Sequence, residues 1–133
     1  MAGPPETLAS VAHQVSQSQL GRYADASGDH NPLHLDPAFA AGTPYGRTIA
    51  HGLLVLAFLS EMLTDAFGMA WLTGGKLNVR FRAPVYPGDV VTTDGRLRST
   101  PGNEQKAIYN VACKNQRGEQ VITGDATVRW PLS

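Results

Sequence analysis

Asp29 and His34 stand five positions apart in the segment SGDHNPLH, residues 27–34. A carboxylate and an imidazole that share one water can take a proton from it and return one, which is acid–base chemistry at neutral pH. The segment suits such a task because it is neither a regular helix nor a central strand. Pro32 has no N–H and disfavours helix at Asn31, while Gly28 opens backbone angles closed to other residues. The side chains of Asp29, Asn31 and His34 are therefore free to face a ligand. The plainer reading is a turn, since Asp and Asn are common turn formers and a loop histidine is often only solvated. Residue types alone leave both readings open.

A second feature favours chemistry. His51 and Gly52 open the run GLLVLAFLSEMLTDAFG. The first amides of a helix have no partner inside it and carry the positive end of its dipole, so the Gly52 N–H suits an oxyanion. With residues 29–34 packed over that end, the site would hold an acid–base pair, an oxyanion donor and an apolar slot beside the helix. Those are the parts needed to add water across a double bond conjugated to a carbonyl. His51 itself reads as a residue that fixes the loop before the helix.

The elements that must position these groups follow from periodicity. Ser16 and Gln19 form a capping-box pattern, and Leu20, Tyr23, Ala24 and Ser27 fall at helical spacing, which predicts a helix over Gln17–Ser27 stopped at Gly28. Asp36 and Pro37 cap a brief helix over 38–41, closed by Gly42, and a loop follows over 43–50. The run from Gly52 is long enough for four to five turns and apolar on every side in its first half, so another layer must wrap it. Leu77, Val79, Phe81 and Ala83 alternate with Asn78, Arg80 and Arg82, the period of a half-buried strand. Strands are predicted over Val90–Ser99, 105–115 and 120–130, with turn signals PGD, TPGN and QRGE between segments. A long helix followed by an antiparallel meander is α+β, the sheet curled round the helix. Residues 1–8, with two prolines and little to pack, read as a flexible N-terminal arm, and residues 9–133 as a single domain.

Composition narrows the classes of function. The chain has 133 residues, and its eleven basic side chains balance eleven acidic ones, so no overall field draws it to nucleic acid or an anionic membrane. The N-terminus lacks the basic and apolar regions of a secretion signal, and the longest apolar stretch, 53–59, is too short to span a bilayer, which predicts a cytoplasmic protein. The single cysteine, Cys113, excludes an internal disulfide and alternates with apolar neighbours as a core residue would. His30 and His34 have the spacing of a helical zinc pair, but Pro32 interrupts the helix that geometry needs, so no metal site is assigned. Glu61 and Asp65 read as the solvated end of the long helix. No GxSxG, CxxC, P-loop or GxGxxG motif is present.

The stretch from Tyr23 through the SGDHNPLH segment to Ala40 resembles the hydratase signature of the MaoC-like family, the (R)-specific enoyl-CoA hydratases and 3-hydroxyacyl dehydratases of hot-dog fold. TIAHGLL, residues 48–54, resembles that family's entry to its central helix, and VRFRAPVYPGD, residues 79–89, its first long strand and turn. The resemblance implies a hot-dog fold and (R)-specific hydration of a trans-2-enoyl-CoA, or the reverse dehydration. It also implies Asp29 and His34 as catalytic residues and the Gly52 N–H as oxyanion donor. Asn31 and Ser60 would be supporting residues. No metal or redox cofactor is implied, coenzyme A being part of the substrate. Arg47, Lys76, Arg80 and Arg82 could meet its phosphates, although solubility explains the last three equally well. The substrate is expected to be an acyl-CoA or acyl-carrier-protein thioester. A hot-dog thioesterase and a non-catalytic thioester-binding subunit are the alternatives. A homodimer is expected from the open sheet edges and from the resemblance.

Overall fold

The computed structural model of the protein describes residues 3–131. In chain order the elements are β1 (Ala12–Gln14), α1 (Gln17–Ser27), α2 (Pro32–Leu35), α3 (Pro37–Ala41), α4 (Gly52–Phe67), α5 (Met69–Gly74), β2 (Lys76–Phe81), β3 (Val90–Ser99), β4 (Lys106–Lys114) and β5 (Gln120–Arg129). The strands form one antiparallel sheet in the order β1-β3-β4-β5-β2. This is the hot-dog architecture, with the sheet curled round α4.

α4 fills the sheet because its apolar positions recur at three- and four-residue steps. Leu54, Val55, Phe58, Leu59, Met62, Leu63 and Phe67 are buried. They meet Val91 of β3, Tyr109, Val111 and Cys113 of β4, and Ile122, Ala126 and Val128 of β5 in one core cluster. Each fully buried leucine here contributes roughly 1.5–3 kcal/mol. The wrapping is incomplete: Leu53 is 62 % exposed, because a single sheet covers one side of the helix entry and leaves the other bare. Gly68, at φ +57, ends the helix and turns the chain into α5. Six residues were too few to signal α5 by periodicity.

Two glycines let neighbours approach. A Cβ on Gly124 would lie 2.0 Å from the Asn78 carbonyl, so β5 and β2 meet closely there, and one on Gly95 would lie 2.9 Å from Leu8. The second contact bears on the expected flexible arm, 1–8, of which residues 1 and 2 lie outside the described residues. Of the described part, Leu8 is buried, its N–H donates to the Gly95 carbonyl, Leu97 N–H donates to the Glu6 carbonyl, and Tyr109 Oη donates to the Pro5 carbonyl at 2.6 Å. The prolines fit because the arm lies at a sheet edge and donates few bonds of its own. β1, three residues long, was likewise too short to be read from the sequence.

β2 differs from expectation at one end. Leu77 and Val79 are half-buried on the helix side, but Phe81 is 56 % exposed. β2 is an edge strand whose only partner among the described residues is β5, and Phe81 lies past the cover of the core, against Gly52.

Candidate active site

α1 delivers the site through its ends. Ser16 Oγ accepts from the Gln19 N–H, one half of the capping box; the reciprocal half is not made, and Gln19 Oε1 is buried without a partner. At the other end Gly28, at φ +80, donates its N–H to the Ala24 carbonyl and turns the chain out of the helix. Asp29 follows on the surface, and its Oδ1 accepts the Asn31 N–H at 3.2 Å. Asn31 Oδ1 accepts the Leu33 N–H at 3.0 Å and caps α2, with Pro32 as its first helical residue. The segment expected to be irregular therefore contains one helical turn, because proline at the first helical position loses no bond. His34 lies on that turn, and Asn31 acts on it by holding the turn.

The segment is laced to residues 48–51 immediately before α4. His34 Nδ1 is 2.8 Å from the Ile49 carbonyl, and Ile49 N–H donates to the Leu33 carbonyl. Gln17 donates from Nε2 to the His34 carbonyl at 2.8 Å and accepts from Thr48 Oγ1 at 2.7 Å. His51 Nε2 is 3.1 Å from the Asp29 carbonyl. Since a carbonyl can only accept, these contacts fix both tautomers: His34 carries its proton on Nδ1 and offers a lone pair at Nε2, while His51 carries its proton on Nε2.

Asp29, His34 and His51 each place one side-chain nitrogen or oxygen within 4.8 Å of the others. A water making two hydrogen bonds of about 2.8 Å at a near-tetrahedral angle spans roughly 4.6 Å, so the spacing suits one shared water. The rings of His34 and His51 stack with centroids 3.9 Å apart and planes at 27°. Two positive charges at 3.9 Å would repel by about 4 kcal/mol at an effective dielectric of roughly 20, so a charge on one ring disfavours a charge on the other. Burial holds the His51 imidazole below its usual range, with the proximity of His34 adding to the effect and the Asp29 carbonyl opposing it.

Beneath the pair opens a cavity of about 420 Å³, lined by His34, Gly52, Tyr45, Val55, Phe81 and Ile122 among others. That is the size of a small-molecule site. Asp29 is not among the residues that line it. Gly52 is the first residue of α4, so its N–H has no partner within the helix.

Comparisons with known proteins show the family. Residues 4–123 match the family profile described as MaoC like domain. The chain belongs to the MaoC-like family.

Among the relatives that this MaoC-like chain matches, it is 32 % identical over 124 residues to the (R)-specific enoyl-CoA hydratase of Aeromonas caviae, covering 92 % of each protein. It is 33 % identical over 119 residues to the 3-hydroxybutyryl-CoA dehydratase of Methylorubrum extorquens, covering 89 % of this chain and 74 % of that one. Among solved structures, the (R)-hydratase from A. caviae involved in PHA biosynthesis superposes with a TM-score of 0.82 at 30 % identity, covering 98 % of both chains.

The remaining site residues read from the sequence are dispersed in this MaoC-like fold. Ser60 lies two turns beyond Gly52, roughly 12 Å along the helix, and accepts from Trp71 Nε1 at 3.2 Å; it does not line the cavity. Arg82 does line the cavity and donates from Nε to Thr123 Oγ1 at 2.9 Å. Arg47 lies over the Tyr86 ring at 4.2 Å. Arg80 is exposed beside Asn78 and Asp125, away from the cavity lining. Lys76 starts β2, roughly 16 Å of extended chain from Phe81. Gln17, Thr48, Tyr45 and the site role of Phe81 were missed. The partners of Gln17 and Thr48 lie 17 and 31 positions away, so nothing in their local sequence signals the contacts.

Proposed function

We propose that this chain catalyses the (R)-specific hydration of a trans-2-enoyl-CoA to a 3-hydroxyacyl-CoA, or the reverse dehydration, at the Asp29–His34 pair. One observation carries the reading: a carboxylate and an imidazole whose polar atoms come within 4.8 Å of each other, with the imidazole and the first residue of α4 both lining one largely apolar cavity. The (R) stereochemistry rests on the named relatives.

The pair holds one water between Asp29 and His34 Nε2. As the water oxygen bonds to the β-carbon, its O–H breaks and the pair takes the proton. The alkene electrons shift toward the thioester, whose oxygen gains enolate charge beside the Gly52 N–H and the positive end of α4. The pair then returns its proton to the α-carbon, the enolate collapses, and both residues end as they began. Asp29 is placed to take the proton and His34 to pass it on. Water and thioester are the only reactants we assign, with coenzyme A as part of the substrate. Arg47 and Arg82 are the cations we assign to its phosphates; Lys76 lies too far along β2.

We further propose that the chain works as a homodimer in the cytoplasm. Among the described residues the outer edge of β2 has no strand beside it, and Leu53 and Phe81 are exposed beside Gly52 and the cavity. Among the described residues no helix is long and apolar enough to cross a membrane. The lone Cys113 is buried, and burial pushes its thiol up to about 12, as suits a reduced core residue.

Crotonyl-CoA tests the reaction. Loss of enoyl absorbance without free thiol supports hydration; thiol release would instead indicate a thioesterase, and neither change would indicate a binding subunit.

A further inference from the structure

His51 takes no part in the proton transfers assigned above, yet it is 2 % exposed and touches both residues that do. Asp29 needs such a contact. Its other hydrogen bonds are local, from its own N–H to Ser27 Oγ and from the Asn31 N–H to its Oδ1. Among the described residues, the bond from His51 Nε2 to the Asp29 carbonyl is its one hydrogen bond to another element. His34, by contrast, is held independently through Gln17 and Ile49.

We propose that His51 is a positioning residue of the acid–base pair: its Nε2–H fixes the Asp29 main chain over the entry to α4, and its neutral ring is the face on which His34 rests. The inference rests on the hydratase reading of the same site. Its second support is the other nitrogen. His51 Nδ1 is buried without a partner, an arrangement that a purely structural side chain has no reason to keep. A phenylalanine would fill the same volume with no orphaned acceptor, so what the imidazole adds is the Nε2–H. The ionisable groups around the ring are Asp29 and His30 on the α1–α2 connection, His34 on α2 and Tyr23 on α1, whose ring lies 4.8 Å away. A neutral His51 is the form that lets His34 carry the proton in transit without a second charge stacked on it.

Two variants and one spectrum decide the matter. His51→Phe keeps a ring and removes the donor; its kcat on crotonyl-CoA should fall about 10- to 100-fold with KM changed by less than about threefold, since misplacement of a reacting group costs on that scale. His51→Gln restores an N–H near the Nε2 position and should recover most of the lost kcat. Wild-type kcat in the Phe variant, a loss confined to KM, or a Gln variant no faster than Phe would overturn the proposal. In the wild-type protein, nitrogen–proton correlation spectra of the imidazoles at pH 7 should show the Nε2–H tautomer for His51 and Nδ1–H for His34; an Nδ1–H or charged His51 would also overturn it. This readout does not depend on turnover. An inactive wild type would sink the hydratase reading, and the spectra would still decide whether His51 is held as proposed.

Discussion

At the scale of single residues, the site depends on two tautomers that main-chain carbonyls impose. His34 Nε2 is free to meet a water because Nδ1 is committed to Ile49. His34→Ala removes that lone pair, and Asp29→Asn removes the charge to which the proposed mechanism assigns the water. Each should lower kcat for crotonyl-CoA hydration by about two to four orders of magnitude. Asp29→Asn should leave circular dichroism and melting temperature near wild type, because Asp29 is exposed; His34→Ala should keep the circular dichroism but lower the melting temperature, because it also removes the bond to the Ile49 carbonyl and the stack on His51. Near-normal turnover in either variant would remove that residue from the mechanism. His51 makes a separate prediction about stability. Its folded-state pKa lies below the ordinary value of 6.5, so the unfolded chain takes up the proton first. Its neutral form therefore supports the fold fully above about pH 6.5, and that contribution is lost as pH falls through the folded pKa. Melting temperatures from pH 8 to 5 should show a decline below 6.5 that His51→Phe reduces; an identical decline in the variant would assign it to other groups. Asp29, His34 and Gly52 were legible as candidates because their types, a proline and a helix start lie within short windows. The role of His51 was not, since it depends on a bond to residue 29 that only the fold creates.

At the scale of elements, the decisive one is the N-terminus of α4. Its dipole and open amides exist whatever sequence fills the helix, but Gly52, which lines the cavity, puts no side chain between the helix start and that space. Two substitutions separate the amide from the space. Gly52→Pro keeps a residue well suited to a first helical position and deletes the N–H. The preceding His51, at φ −59 and ψ 132, already has the extended backbone that a following proline requires. Gly52→Ala keeps the N–H and adds a Cβ 3.0 Å from the Phe81 ring, a half-exposed side chain that can shift. Removal of one oxyanion donor costs about 10²- to 10³-fold in kcat, so the proline variant should lose that much and the alanine variant far less. Equal losses would show that space at Gly52, and not its amide, is what matters. The long helix and the β3–β5 meander were legible because each repeats its period several times. α2, α5 and β1 were not: none is longer than six residues, too short for a period to establish itself.

At the scale of the whole molecule, the sheet stops at β2 and leaves its outer backbone groups without a strand to pair with. Of the seven exposed large apolar residues among those described, four lie on β2 or on the two helices before it, Leu53 on α4, Met69 and Leu72 on α5, and Phe81 on β2 itself; Phe39, Tyr45 and Val90 lie elsewhere in the chain. A symmetric pairing of two β2 edges would continue the sheet and cover such residues on both copies at once, as an isologous interface requires. The open edge could be anticipated from the sequence because a meander around one helix must end somewhere. Which strand ends it could not, because the last strand in the chain pairs back to the first long one and so lies inside the sheet. The homodimer reading predicts a solution mass of twice one chain by light scattering at micromolar concentration. Leu72→Glu, far from the acid–base pair on α5, should shift that mass to a monomer and leave the far-ultraviolet circular dichroism intact, since a charge facing solvent is tolerated and one facing an apolar interface is not. A wild-type monomer would reject the dimer outright, and a charged variant that stayed dimeric would move the interface away from α5 and the β2 edge.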